Sequence, residues 1–138
     1  MGALMQQMKW IRGGILLALV GVFQPAFAAD VYLVVNPSLK ISASEALSAY
    51  LGEKEFLKAV RLMPVDNAIA QADFLERAMD LNGKKYQTYW TKKTFRDGVQ
   101  PPPVLHTDTE VLAFVQKTPG AIGYVRSPSD GVTVLKKY

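Results

Sequence analysis

Cysteine is absent from all 138 residues. That excludes disulfides, thiolate metal sites and a cysteine nucleophile. It also excludes the lipid anchor of a bacterial lipoprotein, which needs a cysteine after the signal peptide. Histidine occurs once, as His106. Metal sites and histidine triads need convergent partners, and Asp108, two positions on and beside a helix cap, is poorly placed to be one. His106 is expected to be a polar loop residue. No G-x-S-x-G elbow, Walker loop or H-E-x-x-H motif occurs, so nothing supports an enzyme or a resident cofactor. Glu53 and Glu55 are close, but lysines surround them (Lys54, Lys58), and a solvated pair is expected.

Long apolar runs are scarce too. The one at the start, "GGILLALVGVF" (Gly13 to Phe23), follows Lys9 and Arg12 and precedes Ala26-Phe27-Ala28. A basic region, an apolar stretch and an A-x-A site make a signal peptide. The run is shorter than the about 20 residues that span a bilayer. Residues 1–28 therefore read as a leader, and residues 29–138 as a single exported domain with no membrane anchor after cleavage. The periplasm is the compartment that fits best. One charge sign is never in large excess. The formal +4 falls to +2 once Lys9 and Arg12 leave with the leader, which gives no electrostatic case for nucleic acid.

What remains alternates strands and helices. "VYLVVN" (Val31 to Asn36) is a β-branched apolar run closed by Asn36-Pro37, hence a buried strand. Ser42 to Glu45 has the S-x-x-E spacing of a capping box, followed by an apolar face of Ala43, Ala46, Leu47, Tyr50 and Leu51. Gly52 stands at the helix end. "AVRLMPV" (Ala59 to Val65) is a second strand, and Pro64 assigns it to an edge. From Ala68 to Met79 an amphipathic helix is expected, with Asp66 or Asn67 as its cap. Lys84 to Phe95 is a third helix carrying Tyr86, Tyr89 and Trp90 on its core side. "PPP" (Pro101 to Pro103) is an extended connector. Thr107 to Glu110 caps a fourth helix with Val111, Leu112 and Val115 on one stripe. "AIGYV" (Ala121 to Val125) and "GVTVLKK" (Gly131 to Lys137) close the chain as strands. Gly120 and Gly123 mark either close approach to a ligand or tight strand–helix packing. This order predicts an α/β fold with a parallel or mixed sheet covered by helices.

The segments "VVNPS", "SEALSAYLGEKEF", "PVDNAIAQADFLERAM", "YWTKKTFRDGV" and "TPGAIGYV" follow one another over Val31 to Val125. In order and spacing they resemble one lobe of the periplasmic phosphate-binding components of phosphate ABC transporters. The resemblance implies a single lobe of a type 2 periplasmic-binding fold, whose ligand lies in a cleft between two lobes. It also implies a function: a substrate-binding-like protein that takes phosphate or another small oxyanion weakly, or serves as an accessory. The alternative is a module of a transport or sensing system that binds protein, not ligand. A transporter, a sensor or a second copy would supply the missing lobe.

The resemblance places the ligand at the backbone N–H groups of Asn67, Ala68, Ile69 and Ala70. In the family an arginine followed by Ser-Gly-Thr holds phosphate there. Here the Ser-Gly-Thr positions hold Ala68, Ile69 and Ala70, and the preceding residues are Val65, Asp66 and Asn67. The hydroxyls and the arginine are gone, and an acid stands beside the site. Phosphate recognition needs donors and positive potential, so tight binding by this lobe alone is not expected.

Overall fold

The structure is a computed structural model and describes residues 29–138. The leader and the cleavage after Ala28 lie outside the described residues. Among those described, no helix is long and apolar enough to cross a membrane.

The β-branched run near the start forms strand β1 (Tyr32–Val35), with Leu33, Val34 and Val35 fully buried. It sits inside a four-stranded sheet. On one side it pairs antiparallel with β7 (Ala121–Val125), on the other antiparallel with β8 (Thr133–Lys137). Strand β4 (Met63–Pro64) lies parallel to β7, giving the order β4-β7-β1-β8. The sheet is mixed, and Pro64 is on its edge strand, where a missing donor is tolerated.

Helices cover both faces. On one face lie α1 (Ala43–Tyr50), α2 (Gln71–Met79) and α3 (Gly83–Asp97); on the other lies α4 (Asp108–Lys117). Strand alternation feeds both layers. Ile122 and Tyr124 pack with Leu33, Val35, Tyr50, Phe74 and Trp90. Ala121 and Val125 pack with Val34, Val65, Val111 and Val115. Gly123 points at α4. A Cβ there would come within 2.6 Å of Val111 Cγ1 and 3.0 Å of Val115 Cγ2, so this glycine serves strand–helix packing.

Helix starts follow the local signals. Ser42 Oγ accepts from the Glu45 N–H at 3.2 Å, and Glu45 Oε1 accepts from the Ser42 N–H at 3.3 Å. Asn82 Oδ1 accepts from the Lys85 N–H at 2.8 Å to start α3, and Thr107 Oγ1 accepts from Glu110 at 3.2 Å to start α4. Tyr86 and Trp90 are buried, as an amphipathic α3 requires.

The expected strand Ala59 to Val65 is corrected. Its first part belongs to a hairpin of β2 (Phe56–Leu57) and β3 (Val60–Arg61), turned at Lys58 with φ 55°. Only Met63 and Pro64 join the main sheet. Beyond Val65 the chain leaves β7 and forms β5 (Asp66–Asn67), which pairs in parallel with β6 (Val104–Leu105). The cause is a competing partner. The N–H groups of Asp66 and Ala68 donate to Pro103 and Leu105 carbonyls, both at 2.8 Å.

Candidate functional site

The junction between β5 and α2 holds the only buried charged side chain among the described residues. Asp66 is almost wholly buried. Such a carboxylate needs hydrogen-bond partners, and two tyrosines supply them. Tyr124 of β7 donates to Oδ1 at 2.7 Å, and Tyr86 of α3 donates to Oδ2 at 3.0 Å. The Tyr124 ring stacks on Phe74 with centroids 3.8 Å apart, which fixes the hydroxyl's aim. Burial pushes the Asp66 carboxyl up to about 6, against the opposing effect of hydrogen bonds from Tyr124, Tyr86 and Gln71. Burial, and then the neighbouring Asp66 charge, hold the Tyr124 and Tyr86 phenols well above their ordinary value. Both therefore stay protonated and act as donors.

Asp66 is thus a strand residue clasped from two sides, and the expectation that it or Asn67 is the N-cap of the helix is corrected. The N-cap of α2 is Ala70, which offers no side-chain bond. The side chain of Asn67 works elsewhere. Its Nδ2 donates to Asp108 Oδ1 at 2.8 Å and to the Tyr124 carbonyl at 3.0 Å. Its Oδ1 accepts from the Ile69 N–H at 3.3 Å.

Asn67, Ala68, Ile69 and Ala70 therefore form the end of β5 and the turn before α2, with Gln71 as the first helical residue. Three of their N–H groups already have acceptors inside the protein. Ala68 donates to Leu105 O at 2.8 Å, Ile69 to Asn67 Oδ1, and Ala70 to Asn67 O at 3.1 Å. The N–H groups of Gln71, Ala72 and Asp73 open α2 and have no intrahelical acceptor, as at any helix start.

Arg126 closes this corner, although sequence reasoning did not single it out. Its Nη2 donates to the Ile69 carbonyl at 3.0 Å and to Asp73 Oδ2 at 2.8 Å. The guanidinium thus lies beside the start of α2 with its charge paired to Asp73. Asp108, the first residue of α4, accepts from the backbone N–H groups of Arg126 and Ser127 at 3.1 and 3.0 Å. An anion at that helix start is favourable, and here the anion is the protein's own.

Beside Asp66 a cavity of about 690 Å³ opens against α3 and the Pro101–Val104 segment. Asp66, Gln71, Tyr86, Trp90 and Phe95 line it. A smaller cavity of about 200 Å³ shares Trp90 and Pro101–Pro102 with it and reaches Lys54, Glu55 and Arg61. His106 is exposed, and its N–H donates to Glu110 Oε2 at 2.9 Å within the α4 cap. Among the described residues no group of three or more histidines and carboxylates could hold a metal ion. Sequence reasoning missed Tyr86 and Tyr124 as functional neighbours. The available signal was that a buried tyrosine hydroxyl needs a partner.

A mixed sheet with helices on both faces is an α/β architecture that fits the single-lobe periplasmic-binding fold implied by the resemblance. One known structure has the same fold over part of its length. PstS from Borrelia burgdorferi is similar over 78% of this chain and 47% of its own, at 16% identity and a TM-score of 0.50. An ABC-type phosphate transport receptor from Vibrio cholerae matches over 78% of this chain and 46% of its own, at 14% identity and a TM-score of 0.47. The chain thus spans about half the length of these neighbours. No protein-family model and no curated protein sequence matches it.

Proposed function

We propose that this chain is an exported, periplasmic, non-catalytic binding-type lobe that serves a phosphate-transport or sensing system as an accessory. One observation carries the proposal: the fold likeness to 47% of the Borrelia protein. In this account the other wall of the cleft comes from a transporter component, a sensor or a second copy.

Phosphate or another small oxyanion is the ligand class the fold suggests. Its place would be the Asn67–Ala70 turn and the first turn of α2. We expect that contact to be weak in the isolated chain. The Ala68, Ile69 and Ala70 donors are engaged, the Arg126 charge is paired, and Asp66 adds an adjacent negative charge. Two charges 4 Å apart near a protein surface interact by about 4 kcal/mol, which is enough to offset several hydrogen bonds to an anion. Calorimetric titration with phosphate and sulfate tests this. The expected result is a Kd weaker than about 1 mM for both; a micromolar Kd for either would reject the accessory reading in favour of a self-sufficient receptor.

A further inference from the structure

The cavity beside Asp66 has the size of a small-molecule site, which runs from about 300 to about 1,000 Å³. Its lining is chemically one-sided. Asp66 is its only charged residue, and no lysine or arginine lines it. Asp66 takes part in none of the ion pairs formed among the described residues. Its donors, the Tyr86 and Tyr124 hydroxyls and the Gln71 side-chain amide, are all neutral, so its charge is hydrogen-bonded but not compensated. An ionised carboxylate accepts at about four lone-pair positions, and these three donors leave about one open. Around it stand aromatic groups, Tyr86 and Trp90 in the wall and Phe95 almost fully exposed. A lone, buried carboxylate at one end of a cavity whose wall carries aromatic side chains repels anions and attracts cations.

We propose that this cavity binds a small organic cation, an ammonium group on an apolar body, with the ammonium toward Asp66 and the body against Tyr86, Trp90 and Phe95. Such a ligand differs in charge from phosphate, and the inference does not rest on the transport reading.

Three probes of similar shape test it with the whole chain near neutral pH: phenethylammonium, phenethyl alcohol and phenylpropionate, followed by calorimetry or ligand-observed NMR. The ammonium is expected to bind with a Kd of about 1 mM or tighter and at least about tenfold better than the carboxylate. Asp66→Asn should remove the preference for the ammonium over the alcohol. If that variant fails to fold, Gln87→Lys serves instead. Gln87 is exposed and lines the cavity, so a lysine there brings a competing cation without disturbing the core. It should weaken the ammonium about tenfold or more and leave the melting temperature in place. Equal or tighter binding of the carboxylate, no ammonium binding, or an unchanged affinity in Gln87→Lys overturns the proposal.

Discussion

Asp66 ties the stability of the fold to pH. Its folded carboxyl titrates at about 6, above the ordinary 3.8. The folded state therefore holds the proton more tightly than the unfolded state. By linkage, this residue's contribution falls as pH rises from about 4 to about 6 and levels off above that. A difference of about two units corresponds to roughly 3 kcal/mol. Glu45 is held below its usual range, chiefly by hydrogen bonds within its capping box, and Asp97 by its bond to Arg96; both act in the opposite sense. Urea unfolding of the parent and of Asp66→Asn across this window isolates the effect. The difference between them should favour the parent least at pH 7. A pH-independent difference would mean that Asp66 is not titrating as described. Gly123 makes a second residue-scale case. Gly123→Ala should cost about 1–3 kcal/mol through overpacking against Val111 and Val115, read as a lower urea midpoint with an unchanged slope.

At the scale of elements, long periodic segments were legible in the sequence and short ones were not. α1, α3 and α4 carry side-chain caps at Ser42, Asn82 and Thr107, and β1 and β7 are unbroken apolar runs. The positions of α1 and α4 followed from their caps, that of α3 from its aromatic period, and those of β1 and β7 from their apolar runs; the Asn82 cap was not read. The two-residue strands β2 to β6 are too short to leave a period. The hairpin turn at Lys58 uses a positive φ without glycine or asparagine, so its usual signal is missing. The start of α2 was misplaced for a related reason. Asp66 and Asn67 look like caps locally, but tertiary partners claim both: Tyr86 and Tyr124 for Asp66, Asp108 for Asn67. Long-range pairing of that kind has no short-range trace. Caps that do work locally should be measurable. Asn82→Ala is expected to lower stability by about 1 kcal/mol in urea unfolding, with little change at the Asp66 corner.

At the scale of the molecule, the described residues form one α/β unit closed by its first and last strands. Val31 and Tyr138 exchange backbone hydrogen bonds at 3.2 and 2.8 Å, beside the β1–β8 pair. At its corner toward α2 the Ala68, Ile69 and Ala70 donors have protein acceptors and Asp66 stands beside them. On the proposed function, this corner takes phosphate only weakly. The most direct measurement is a phosphate titration of the whole chain followed through the backbone amide NMR signals of Asn67 to Asp73. The account predicts small shifts that are unsaturated below about 1 mM phosphate. Saturating shifts of the Ala68, Ile69 and Ala70 amides at micromolar phosphate would contradict it.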